Sequence, residues 1–322
     1  MLHRGVSLRQ LCAAAACSLL LPISTLLACG DWLWVGLGAA LACLYYIMYG
    51  RRDGKPIQSP VWLGCLRGLA LLVLAGLLSQ QVGALFPETE GLPWVGLGVL
   101  ALAAAAASKG FAVVLRCGAV LFVPLALVCL AVVLLAIPGA HPAWFTPRIR
   151  PLDGAVSLLL LLLPASLSCF APLVTERNAR PCRWAAYLGL AATLTAAVTA
   201  ACLSPELAEQ PMSFYTLARS VSVFGVMLRL ESCVSGALVA SAFSGMGLLL
   251  CAARQVLPER LQSVSVWYLT GIAALISLVP APVLTPIAIV SAIFCVLFSV
   301  LTQALVSREK PEKKSVFFEK NS

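Results

Sequence analysis

Ten stretches of this chain are too long and too apolar for any one water-soluble core to absorb, and that limits the fold more than any other feature. With about 20 residues needed to cross a bilayer, the candidate spans are 8–28, 31–49, 61–85, 93–108, 111–137, 152–174, 184–203, 224–253, 263–281 and 284–306. A composition of 61% hydrophobic and 11% charged residues over 322 residues agrees, because soluble domains carry far more charge. The sequence therefore reads as an all-α polytopic membrane protein. The connections are short, so 1–306 is expected to form one integral unit. The polar stretch 307–322, SREKPEKKSVFFEKNS, is expected to be a disordered basic tail near anionic lipid.

The cations supply a direction. If the N-terminus is cytoplasmic and the chain alternates through ten spans, eighteen of the twenty-two Lys and Arg residues fall on the inner side, as the positive-inside rule requires. Only Arg148, Arg150 and Arg219 lie outside, with Arg229 left at or within a span. The expected location is thus a membrane, crossed several times, with both termini cytoplasmic. A net charge of +9 brings no aromatic and basic interleaving of the kind that binds nucleic acid. The thirteen cysteines form no CxxC and no Cys/His cluster, so they read as small packing residues rather than disulfides or metal ligands. No cofactor is expected. Leu26 to Gly30, LLACG, has the look of a lipoprotein cleavage site, but an apolar run from Trp32 to Tyr49 follows at once, which argues against processing.

Breaks within the spans point to where chemistry could sit. The first span carries Pro22 followed by Ser24 and Thr25, and the sixth carries Pro164 followed by Ser166 and Ser168. Proline removes a backbone donor and frees carbonyls. Spans one and six correspond in a five-plus-five inverted repeat, and paired discontinuities there mark a binding site at the repeat interface. Ordinary proline kinks are the other reading. Span three ends in Ser79, Gln80 and Gln81, polar groups that either meet a ligand or tie helices together. In span eight, Ser232, Gly236, Ala240 and Ser244 form a small-residue stripe with Ser241 beside it, which allows either close helix approach or room for a solute.

The stretch Phe214 to Glu231, FYTLARSVSVFGVMLRLE, concentrates Arg219, Arg229 and Glu231 at the start of span eight. Glu231 lies roughly one bilayer core from Arg254 at 1.5 Å per residue, so these charges belong near the outer interface. Arg229 and Glu231 are two apart and project to different neighbours. The segment Phe214 to Ser222 is expected to be a re-entrant or short surface helix, serving as an anchor for the outer loops or as a lid.

Taken in order, these motifs resemble the spore germination permease family, the B subunit of the germinant receptors of endospore-forming bacteria. The similarity rests on Tyr215 to Ser222 with Arg229, Leu230 and Glu231. It is supported by Ser7 to Leu11, by Phe86 to Glu90 with Pro93 and Trp94, and by Ala107 to Gly110 with Arg116. It spans nearly the whole chain. The resemblance implies the amino acid, polyamine and organocation transporter fold and a place in the inner spore membrane. It also implies association with an A subunit and a C-subunit lipoprotein, and sensing of a nutrient such as an amino acid. In that fold the ligand lies among spans one, three, six and eight. This selects Pro22, Ser24, Thr25, Ser79, Gln80, Pro164, Ser166, Ser168, Ser241 and Ser244 for the ligand, and leaves Arg219, Arg229 and Glu231 at the outer gate. The family's glycines in span one are replaced here by Leu19 to Pro22.

A secondary transporter of the same superfamily is the alternative function. Proton coupling lacks a mid-membrane carboxylate in any span. Enzymatic activity is not expected, since the two histidines, His3 and His141, lie outside the spans and there is no carboxylate pair or HExxH. An epitope tag appended after Ser322 should be inaccessible from outside intact cells and accessible after permeabilisation; labelling without permeabilisation would overturn the ten-span topology.

Overall fold

Apolar runs punctuated by glycine and proline produce helices. A computed structural model describes residues 7–26, 32–33, 35–38, 40, 61–86, 94–144, 181–203, 213–223, 226–227, 230–257 and 265–309. The helices are α1 (Leu8–Leu26), α2 (Val61–Ala84), α3 (Trp94–Ser108), α4 (Phe111–Ala136), α5 (Pro181–Cys202), α6 (Ser213–Ser220), α7 (Glu231–Val256), α8 (Val266–Ser277) and α9 (Ala281–Glu309). Residues 32–33, 35–38 and 40 are also helical. Two 3-10 turns, Ile137–Gly139 and Pro142–Trp144, follow α4, and a small hairpin of β1 (Ser222–Val223) and β2 (Val226–Met227) follows α6. The expected span 152–174 lies outside the described residues.

Among the described residues, three helices are each long and apolar enough to cross a membrane: Val61–Ala84, Phe111–Gly139 and Glu231–Val256. Their surroundings differ. The first and last are mostly buried in the bundle, whereas α4 exposes Val120, Val123, Leu127, Leu130 and Leu134 along one face. A continuous apolar face of that length is stable against hydrocarbon and not against water. Exposed Trp62, Trp94, Trp267 and Tyr268 all stand in the first turns of their helices, the positions aromatic rings occupy at membrane interfaces. The chain is a helical membrane protein.

Three expectations need correction. The eighth span does not begin at residue 224: Ser222 pairs with Met227 and Val223 with Val226 in an antiparallel hairpin, and α7 starts at Glu231. β-branched Val223 and Val226 favour that pairing, and Gly225 between them disfavours continuing a helix by about 1 kcal/mol. The first span is not discontinuous. α1 runs from Leu8 to Leu26 with Pro22 inside it, as helices packed among others in a membrane tolerate. Finally, Ser307 to Glu309 belong to α9 rather than to a disordered tail.

α7 is the helix around which the others gather, packing against α1, α2, α3, α4, α6 and α8. Small residues make that crowding feasible. A Cβ at Gly118 of α4 would lie 2.7 Å from both the Cβ of Ala14 on α1 and the hydroxyl of Ser244 on α7, so three helices meet at a point only glycine can occupy. On α7 itself, a Cβ at Gly247 would come 2.9 Å from Val114 of α4, and one at Gly245 would touch Leu78 of α2. The joint between α3 and α4 depends on Gly110, whose φ of +114° is open to glycine and strained for other residues. Gly118→Leu should lower the stability of the detergent-solubilised protein by about 2 kcal/mol or more through overpacking, read as a fall in melting temperature. Gly98→Ala, on a surface with open space around it, should be near neutral.

Candidate functional site

The ligand residues expected from the sequence separate into two places. The first is the seam where α1 and α7 cross. Here the Leu21 amide, one residue before Pro22, donates to the Ser241 hydroxyl at 2.9 Å. One turn deeper the Ser244 hydroxyl donates to the Ala14 carbonyl at 3.1 Å. The thiol of Cys17 lies 3.9 Å from the Ala240 carbonyl on the same seam. Ser241, Ser244 and Pro22 are all buried. Hydroxyls from one helix thus engage the backbone of another at its proline, the arrangement that keeps such a helix intact in hydrocarbon. Ser24 and Thr25 sit in the last turn of α1, and their side chains lie outside the described residues.

The small-residue stripe of α7 divides along its length. Ser244 is locked into the crossing, whereas Ser232 and Gly236 near the start of the helix are exposed, and a Cβ at Gly236 would meet nothing within 4 Å.

The second place is the Ala84 end of α2. The Gln80 side chain donates its Nε2 to the Val279 carbonyl, in the turn between α8 and α9, at 2.8 Å. Ser79 is fully buried and presses against Gly96 of α3, where any Cβ would collide with the Ser79 carbonyl. Among the described residues, three buried oxygens at this end have no hydrogen-bond partner: Ser79 Oγ, Gln80 Oε1 and Gln81 Oε1. Their neighbour Leu78 faces the other way, towards Gly245 of α7. The structure therefore does not bring Ser79 and Gln80 together with Ser241 and Ser244. Successive residues on a helix diverge by about 100°, and here that divergence assigns them to different neighbours.

Above the seam, α6 packs Phe214, Leu217 and Ala218 into the core against α1, α4, α5 and α7, and leaves Arg219 exposed. Its strongly two-sided sequence explains that placement. Glu231 is the first residue of α7 and half-buried, so its carboxylate sits where the helix dipole favours negative charge. Pro164, Ser166, Ser168 and Arg229 lie outside the described residues.

Arg67 was read from the sequence as one more inner cation. In the structure it is only 8% exposed, with its guanidinium carbon 5.1 Å from the centre of the Phe298 ring on α9. A cation over an aromatic face is stabilised by the ring quadrupole, by up to about 2 kcal/mol when desolvated. The signal in the sequence was its position, several residues inside an apolar run rather than between two.

No protein-family model and no curated protein matches the chain.

Ser241→Ala removes an interhelical bond at the proline and should cost about 0.6–1.7 kcal/mol, the range found for such bonds in membrane proteins. Ser235→Ala, whose hydroxyl bonds to the Ser232 carbonyl of its own helix, should leave the melting temperature unchanged. Equal effects from the two would remove the special role of the α1–α7 seam.

Proposed function

We propose that the chain is the nutrient-sensing membrane subunit of a spore germination receptor, with the ten-span, five-plus-five inverted-repeat architecture of its transporter superfamily. The observation that carries this reading is the set of buried oxygens without partners on Ser79, Gln80 and Gln81. Such groups are costly inside an apolar bundle and are expected to meet a guest. The resemblance of the chain, in order, to the germination permeases supplies the class of guest, a small nutrient such as an amino acid.

The mechanism follows from two-state binding. A ligand shifts an equilibrium only by its difference in affinity for the two states. A bundle whose central seam consists of a few hydroxyl-to-backbone bonds has a discrete set of contacts to exchange between those states. α6, seated over the seam and followed by the hairpin, is suited to act as the lid, with Arg219 at its rim. The A subunit and the C-subunit lipoprotein would read the change at the inner spore membrane.

Purified protein in liposomes tests this reading against transport. Binding of a nutrient from an amino acid panel, seen as a saturable rise in melting temperature without concentrative uptake of the radiolabelled solute, is the expected result. Robust concentrative uptake would replace it with the secondary transporter of the same superfamily, and absence of any nutrient-dependent shift would remove both.

A further inference from the structure

The hydroxyl of Ser79 behaves unlike those of the other helices. Ser18, Ser108 and Ser277 turn back onto the carbonyl three residues earlier, and Thr193, Thr199 and Thr270 onto the carbonyl four earlier, at 2.6–2.8 Å. That bond is the usual refuge of a hydroxyl in a buried helix. Ser79 is 0% exposed and, among the described residues, makes neither that bond nor another.

Gln80 beside it has a fixed orientation. The Val279 carbonyl can only accept, so the amide must present Nε2 to it, and the opposite end of the same amide is left as Oε1, an acceptor. That oxygen is buried and unpartnered. Ser79 faces α3 at Gly96, and Gln80 faces the turn that ends α8. α2, α3 and α8 all pack on one another, and Ser79 and Gln80, adjacent on α2, reach α3 and the turn that ends α8 respectively. This is the side of α2 turned away from Leu78 and the seam with α7.

We propose that this junction binds a compact ammonium group, either ammonium itself or the primary amine of a small solute. The inference rests on reading the unpartnered oxygens as a binding site, and it assigns that site its chemistry. Gln80 Oε1 can only accept, and Ser79 Oγ accepts as readily as it donates, so the guest must bring N–H donors. A carboxylate or phosphate would set lone pairs against Oε1. A bare sodium ion needs a fuller oxygen shell than two side chains supply, whereas an ammonium group is satisfied by a few directed bonds.

The test is the thermal stability of the purified full-length chain, titrated with ammonium, methylammonium, sodium and tetramethylammonium chlorides. Ammonium and methylammonium should raise the melting temperature saturably, as ligand linkage requires. Tetramethylammonium has the charge but no N–H, and should have no such effect. Ser79→Ala should abolish the ammonium response while raising the ligand-free melting temperature by about 2 °C, because it deletes a buried unpaired hydroxyl. Gln80→Leu should also abolish the response, read as the shift against its own baseline. An equal shift with sodium or tetramethylammonium would overturn the proposal. So would an ammonium response that survives Ser79→Ala, or a ligand-free Ser79→Ala protein that melts lower than the parent. Nutrient binding that persists in Ser79→Ala would leave the receptor reading standing and eliminate this site alone.

Discussion

The close approach of three helices at Gly118, Ala14 and Ser244 sets the terms for the rest of the bundle. In hydrocarbon, apolar surface gains little by leaving lipid for protein, so packing and interhelical hydrogen bonds must hold helices together. Short side chains at the crossing bring α1, α4 and α7 close enough for the Ser244 hydroxyl to reach the Ala14 carbonyl and for the Ser241 hydroxyl to reach the Leu21 amide. One of these bonds holds α1 at the residue before Pro22, so the crossing secures the turn that contains the proline. A proline is harmless where another helix serves the backbone next to it, and destabilising where none does.

Much of the helical layout was legible because each apolar run ends at a recognisable boundary: Pro60 before α2, Lys109 and Gly110 between α3 and α4, and Pro280 before α9. The start of α7 was not, since Val223 to Met227 is apolar enough to extend a span and only its pairing as a hairpin separates it. The short helix at Ser213 to Ser220 was visible as a charged, hydroxyl-rich approach to a span, and its amphipathic face explains its seat on the core.

The candidate site was legible as a list of residue types but not as a place. Ser79 and Gln80 were grouped with Ser241 and Ser244 because the resemblance implies a ligand among spans one, three, six and eight. Their partners are Gly96 and Val279 for the first pair, and Ala14 and Leu21 for the second. All of these partners are apolar residues whose backbone or missing side chain does the recognising, and sequence patterning has no signal for such a contact. Arg67 was hidden for the opposite reason: a cation near a span end has an obvious role in topology, and its ring partner on α9 lies most of the chain away.

That separation has a consequence for how the protein is made. Phe298 emerges from the ribosome long after Arg67 has entered the bilayer, so the guanidinium spends most of synthesis without its ring. The stabilisation that the ring gives this guanidinium is therefore the last part of its surroundings to be added, and a chain shortened before α9 forgoes that contribution.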